Sequence, residues 1–316
     1  MTPPLDVVTL GEAMALFVAE TPGPLEGVMR LSKRTAGAET NVAIGLARLR
    51  FKVGWQSRLG NDSMARYLLA AIGGEGVDCS RVASVAGERT AFMFKGRVED
   101  GSDPPIEYHR HGSAASRFGP EHLDEAQIAA ARHLHVSGVF PALSASTLAA
   151  TRRAMAVARA HGKTIGFDPN LRLSLWPSRE AMRETINDLA AQADWVLPGI
   201  EEGKLLTGND TPEAIARFYR GRGAKRVVVK LGADGAYFDD LDAGTGRVAA
   251  FPVAEVIDTV GAGDGFMVGV TSALLEGRSV IDATRRAAWI GARAVQVRGD
   301  TEGLPTRAQL EQAGIG

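Results

Sequence analysis

The sequence predicts an α/β protein: a three-layer α/β/α core on a mostly parallel sheet, with a small β-sheet lid. Three observations predict it. Short β-type runs alternate with helical patterns along most of the chain, the pattern of a parallel sheet with helices on both faces. Two stretches, roughly 13–36 and 88–116, break that rhythm. Polar residues follow several of the strand runs, where open parallel sheets hold their ligands.

The elements follow in order. Val7–Leu10 is a short apolar strand run, and Glu12 comes just after it. A helix over 38–50 puts Val42, Leu46 and Leu49 on one face, with Ala43 and Ala47 beside them. Val53–Ser57 reads as the next strand. Within 88–116, the runs Thr90–Val98 and Ile106–His111 flank the turn-rich Glu99-Asp100-Gly101-Ser102-Asp103-Pro104-Pro105 and read as a hairpin. With 13–36 it forms a β-rich flap over the larger body, the alternative being ordinary surface hairpins. Further strands are expected at His133–Ser137, Thr164–Phe167, Trp195–Leu197, Arg226–Lys230 and Ala236–Phe238. Helices are expected over 145–160, 179–192, 212–222 and 282–297, with alanine-rich scaffold at 126–133 and 147–160. The apolar run Phe266–Leu275 is also helical. Asp168, Asn170 and Arg172 follow one strand, Glu201 and Glu202 the next, and Lys230, Gly232 and Gly235 the one after. All are expected to converge on one edge of the sheet, although any one of them alone could cap a helix.

A length of 316 residues fits either two domains or one large α/β unit, and the alternation favours one domain over 1–316. Lys plus Arg number 36 and Asp plus Glu 37, so charge draws the chain to neither nucleic acid nor membrane. The one cysteine, Cys79, excludes an internal disulfide and a Cys-rich metal site and fits a cytoplasmic protein. There is no signal-peptide pattern and no apolar run of ~18 residues that would span a membrane. His109 with His111, and His133 with His135, lack a third ligand at metal spacing, so packing or surface roles are expected. No GxxxxGK[ST] loop and no HRD or DFG set occurs.

The strongest chemical signal is Asp258-Thr259-Val260-Gly261-Ala262-Gly263-Asp264-Gly265-Phe266. Small residues at 261–263 let backbone N–H groups approach an anion at a helix N-terminus. A carboxylate at that spot makes sense as a general base for a nucleophile attacking a phosphate. The alternative is that Asp264 only caps the helix. Gly37-Ala38-Glu39-Thr40-Asn41 precedes another helix. Here Gly37 could admit a substrate and Asn41 could bind its hydroxyl, or Thr40 or Asn41 could be a plain N-cap. Tyr108 and Arg110 share a strand face, and Arg172 follows another strand end. Such a set suits a carboxylate ligand, and equally suits surface salt bridges. Lys230-Leu231-Gly232-Ala233-Asp234-Gly235 resembles a hairpin turn that could pass under a nucleotide.

Together these motifs resemble the ribokinase-like (PfkB-type) carbohydrate kinases over nearly the whole chain. Gly37–Asn41 with Arg58-Leu59-Gly60-Asn61-Asp62 resembles one family signature, and Asp258–Phe266 the other. The resemblance implies ATP-dependent phosphorylation of a sugar hydroxyl. Asp264 would be the base, and the N–H groups of Gly261, Ala262 and Gly263 the anion hole. Tyr108–Ala115, Asp168–Arg172 with Leu175-Trp176, and Leu197–Glu202 are similar to the 2-keto-3-deoxygluconate kinases. By that resemblance Gly37, Tyr108, Arg110 and Arg172 would hold the keto-acid end of the substrate, with Asn41 the candidate for binding a hydroxyl. Lys230, Gly232, Gly235 and Ala288 line the ATP site. The family's Asn-x-x-Glu motif, tied to Mg²⁺, falls on Gly199–Glu202, so Glu202 remains while glycine replaces the Asn. Some relatives bind a monovalent cation near the second signature and the 294–301 segment. Exposed lid strands often pair with another chain, so a homodimer through the lids is expected. A fructokinase, a ribokinase or a non-catalytic sugar- or nucleotide-binding regulator is the alternative.

Overall fold

The computed structural model describes residues 4–99 and 104–316. Among them, nine strands form one large sheet. They are β1 (Val7–Leu10), β4 (Val53–Gly60), β5 (Asp78–Val85), β8 (His133–Ser137), β9 (Thr164–Asp168), β10 (Trp195–Val196), β11 (Arg226–Lys230), β12 (Ala236–Asp240) and β13 (Gly244–Val248). Four more, β2 (Met14–Ala19), β3 (Leu31–Ala36), β6 (Phe92–Lys95) and β7 (Ile106–His109), form a second sheet. The large sheet runs β13-β12-β11-β10-β9-β8-β1-β4-β5. It is parallel from β5 to β11 and antiparallel at β12 and β13.

Side-chain alternation builds the three layers. Val7, Trp195, Val228 and Phe238 face one way, while Val8, Val196, Val227, Val229 and Tyr237 face the other. On the first face pack α1 (Ala38–Arg48), α2 (Ser63–Gly74), α8 (Ala262–Leu275), α9 (Val280–Ala294) and α10 (Arg307–Gln312). On the second pack α3 (Glu125–Ala130), α4 (Ala145–Ala160), α5 (Arg179–Ala190), α6 (Ile200–Thr207) and α7 (Pro212–Arg220). A strand with apolar residues on both faces is buried on both, as expected of a parallel sheet between helix layers.

The seven expected core strands are all present, and differences lie at their ends. β10 stops at Val196, because Pro198 follows and has no N–H to continue the ladder. Pairing resumes as a single bridge between Gly199 and Lys230. α3 ends at Ala130, short of 133, because His133 is drawn into the sheet beside Val7 and Thr164. α9 begins at Val280, where the Ser279 hydroxyl accepts the Asp282 N–H. α2, α6, α10, β5 and β13 are additional elements. β5 is an edge strand rich in polar residues, so it carries no apolar alternation to read.

The two segments that break the rhythm pair with each other. β2 is antiparallel to β3 and parallel to β6, and β7 returns antiparallel to β6. The turn expected at 100–103 lies outside the described residues. Met14, Leu16, Ala36 and Met93 bury one face of this sheet. Phe17, Phe92, Phe94 and His109 cluster on the other, with Phe92 stacked on His109 at 4.6 Å between centroids.

Candidate active site

The site lies at the C-terminal ends of β1, β9 and β11 and at the start of α8. Gly261 opens α8 with φ +81°, and a Cβ there would collide with the Asp300 carbonyl. The first helical bond returns from Gly265 N–H to Gly261 O at 2.8 Å. The preceding N–H groups therefore belong to the open first turn, where the helix dipole is positive. Ala262 N–H is partly engaged, through a long 3.4 Å bond to Thr259 O. Asp258 braces the loop: Oδ1 accepts Val260 N–H at 3.1 Å and Oδ2 accepts Gly299 N–H at 3.3 Å.

Asp264 is buried, and two amides hold its two oxygens. Asn41 Nδ2 donates to Oδ2 at 2.7 Å and Asn170 Nδ2 to Oδ1 at 3.2 Å. Burial pushes its pKa up to about 7, and Asp168 and Asp300 add to the rise while Asn41 and Arg172 oppose it. A carboxylate poised there accepts a proton at neutral pH and is not fully ionised beforehand. Asn41 is not an N-cap: α1 starts after Gly37, which has φ +150° and where a Cβ would come within 2.5 Å of Glu12 O. The sequence left capping open for Thr40 and Asn41. In the structure Thr40 Oγ1 bonds Gly37 O, while Asn41 reaches Asp264. Asp300 lies on the other side of Asn41 Nδ2 at 3.5 Å, and burial raises its pKa to about 6.

Lys230, at the end of β11, reaches both oxygens of Asp168 at 2.9 and 3.1 Å. Burial alone would lower the lysine's pKa, but Asp168, Glu202 and Asp264 hold it above its ordinary value. Burial raises Asp168 to about 6, so both partners are charged at neutral pH. Glu202 accepts Leu171 N–H at 2.8 Å and Gly199 N–H at 2.7 Å. It thereby ties the start of α6 to the loop after β9.

Past the end of β7, Arg110 turns inward. Its Nε donates to Glu12 Oε2 at 2.8 Å, and the Ser113 hydroxyl donates to Oε1. Burial pushes Glu12 up, and Arg110 and Ser113 pull against it. Arg110 is buried and carries the Tyr108 ring 5.6 Å away, whereas Tyr108 itself is largely open. Arg172 Nη1 donates to Asn170 Oδ1 at 2.8 Å and Leu171 O at 3.0 Å. Neither arginine is in a surface salt bridge, the reading the sequence left open. Glu39, between these charges, is buried with Oε1 unpartnered among the described residues, and burial raises it to about 8. Sequence reasoning gave Glu39 no role, and its only signal was its place inside one signature. Asp300 was marked only as part of the 294–301 segment.

Two cavities meet here. One, of about 490 Å³, is lined by Gly37, Asn41, Tyr108, Arg110, Arg172, Glu202, Lys230, Gly261, Gly263 and Asp264. The other, of about 730 Å³, is lined by Lys230, Gly232, Gly235, Ala262, Gly263 and Ala288 with Phe251, Phe266 and Val295. Every residue assigned to the substrate, the anion hole, the nucleotide or Mg²⁺ lines one or both, whereas Glu201, expected at the same edge, is exposed and pairs with Lys204 at 2.7 Å. Among the described residues no set of three His, Cys, Asp or Glu side chains could hold a metal. No described helix is long and apolar enough to cross a membrane.

Comparison with known proteins agrees with this geometry. The model of the pfkB family carbohydrate kinases matches residues 4–307. The chain is 50% identical over 307 residues to 2-dehydro-3-deoxygluconokinase of Bacillus subtilis, covering 97% of this chain and 94% of that one. It superposes on the crystal structure of a PfkB protein from Polaromonas sp. JS666 with TM-score 0.90 at 63% identity, covering 97% and 99% of the two chains. A Vibrio cholerae fructokinase double mutant with bound fructose, ADP and potassium ion superposes with TM-score 0.83 at 26% identity, covering 99% of each. With its ribokinase-like layers and its glycine loop facing a buried carboxylate, this chain is a carbohydrate kinase and belongs to the pfkB family.

Proposed function

We propose that the chain transfers the γ-phosphoryl group of ATP to the terminal 6-hydroxyl of 2-keto-3-deoxygluconate, the compound also called 2-dehydro-3-deoxygluconate. One observation carries this reading. Asp264 stands where a polar cavity lined by two arginines meets an apolar pocket of nucleotide size.

The sugar acid lies in the polar cavity. Its carboxylate faces Arg172, Arg110 and Tyr108, and its terminal hydroxyl faces Asp264, with Gly37 and Asn41 along its length. The adenine end of ATP lies against Ala288, Gly232 and Gly235, with Lys230 near the phosphates. Asp264 takes the hydroxyl proton as the oxygen bonds to the γ-phosphorus. The bond from that phosphorus to the β–γ bridging oxygen breaks, and ADP leaves. The N–H groups of Gly261, Ala262 and Gly263 receive charge on the transferring oxygens, where most of the rate acceleration of such reactions arises. The second sheet acts as a lid that excludes water, so ATP is not lost to hydrolysis.

Mg²⁺ usually keeps several waters and needs only one or two carboxylates beside substrate phosphates. Asp168 and Glu202 fit that requirement, since both line the polar cavity and the Glu202 charge is close enough to raise the pKa of Asp168. Glu202 spends both oxygens on backbone N–H groups, so its part is through water. The metal would neutralise charge on the phosphate oxygens. The partly covered aromatic face of Phe17, Phe92, Phe94 and His109 supports a homodimer through the second sheets.

A second reading, a kinase of a neutral sugar, is favoured by one observation: Arg110 is neutralised by Glu12. An ADP-release assay with Mg-ATP against 2-keto-3-deoxygluconate, its galactonate epimer, fructose and ribose separates the two. Turnover confined to the keto-deoxy acids is the expected result. Preference for fructose or ribose would discard the sugar-acid assignment while leaving Asp264 as base.

A further inference from the structure

Lys95 is a lysine whose side chain is only 4% exposed, and nothing in the reaction above uses it. It sits at the end of β6, on the face shared with the buried Met93. Its ammonium lies 2.5 Å from Asp258 Oδ2, and that carboxylate is itself 7% exposed. The same oxygen accepts the Gly299 N–H, so the ammonium stands at the junction of the 258–263 loop and the 294–301 segment. Asp300, inside that segment, also feels its charge. A second cation from the second sheet completes the arrangement. Arg34, on β3, donates to the Arg298 carbonyl at 2.6 Å and pairs with Glu302 at 2.7 Å.

A monovalent metal ion is held by backbone carbonyls and carboxylates that replace its water. At this junction the carboxylate is taken by an ammonium and a carbonyl by a guanidinium. The residues present therefore do not suit a monovalent ion, in contrast with the potassium-bound fructokinase of the same fold. We propose that Lys95, with Arg34 beside it, supplies from within the chain the positive charge that a monovalent cation would bring to the loop before α8. Lys95 is then a positioning residue. It holds Asp258, Asp258 holds the Val260 N–H, and the open N–H groups of the anion hole follow within three residues. The charge arrives on a strand of the second sheet, so the loop is braced when that sheet lies against it. The inference rests on the assignment of 261–264 as the phosphoryl-transfer site.

The test compares wild type, Lys95→Ala and Lys95→Arg in tetramethylammonium buffer, with and without KCl at constant ionic strength. Turnover with Mg-ATP and 2-keto-3-deoxygluconate is one readout, and the melting temperature of the nucleotide-free protein is the other. Wild type should be indifferent to potassium in both. Lys95→Ala should lose turnover by about 10²-fold, the scale of a small misplacement at a reacting centre. Potassium should restore much of that loss and raise its melting temperature, because Lys95 and Asp258 also line a cavity of about 700 Å³ that admits an ion. Lys95→Arg should work without potassium. Stimulation of the wild type by potassium would overturn the proposal, as would a Lys95→Ala enzyme at full rate without it. If Lys95→Ala does not fold, Lys95→Gln and the wild-type arm decide. Should the wild type turn over none of the sugars, the assigned reaction fails, and the melting readout still decides the cation question.

Discussion

The two cavities that share Lys230, Thr259 and Gly263 are made of opposite materials. The first is ringed by buried charge: Glu12 with Arg110, Asp168 with Lys230, and Asp264 between two amides. The second is walled by Phe251, Pro252, Val253, Phe266, Ala288 and Val295. Buried charge is costly unless paired, and each pair here fixes the direction of its partner. Apolar walls exact no such geometry and recognise by area. The polar cavity is thus equipped to select by charge and position, while the apolar one suits a flat ring of matching size.

The comparison breaks most sharply at the carboxylate between the cavities. Asp264→Asn should lower kcat by roughly 10³-fold or more, the range for losing a positioned base. Calorimetric Kd values for sugar and ADP should stay within a few-fold, and a variant near normal kcat would remove Asp264 from the mechanism. In the wild type kcat/KM should rise with pH through about 7, as the raised carboxyl loses its proton.

A pair of substitutions sharpens the contrast. Arg172→Ala should raise KM for a sugar acid by roughly 10- to 100-fold, the value of one or two charge-assisted hydrogen bonds, and leave KM for ATP alone. Ala288→Phe should do the reverse, raising KM for ATP by about tenfold through overfilling of the apolar pocket. Equal effects of either change on both substrates would mean that the cavities do not divide the work.

The smallest effect is on stability and belongs to the charged side. Glu39 keeps its proton to about 8 when folded, against an ordinary value of 4.5. The unfolded chain therefore gives up that proton first, and stability falls as pH rises from 4.5 to about 8. Glu39→Gln should melt a few degrees above wild type at pH near 9 and level with it near pH 5, by calorimetry. A gap that does not widen with pH would mean that Glu39 is not held neutral.

The core and the glycine loop were legible because their signals are local. Alternating apolar runs marked the seven core strands, and small residues before an apolar helix marked the glycine loop that opens α8. What remained hidden depends on distant partners. Lys95 lies unremarked inside the run Thr90–Val98 until the pairing of β6 with β2 brings Asp258, 163 residues away, against it. Arg110 reads equally as a substrate fork or a surface salt bridge, and only the fold brings Glu12, 98 residues earlier, to meet it. The α2 stripe of Ala65, Leu68 and Ile72 was visible in principle, but the polar edge strand β5 after it gave no period to frame it.

The bond from Asn41 to Asp264 spans 223 residues. A ribosome therefore exposes α1 early and releases Asp264 only with the last long helices. A growing chain holds part of the polar cavity, while the apolar one, lined wholly from Lys230 onward, waits for the same late segments. With the role proposed for Asp264, translation delivers an inert precursor, and enzymatic competence comes late, with α8, and all at once.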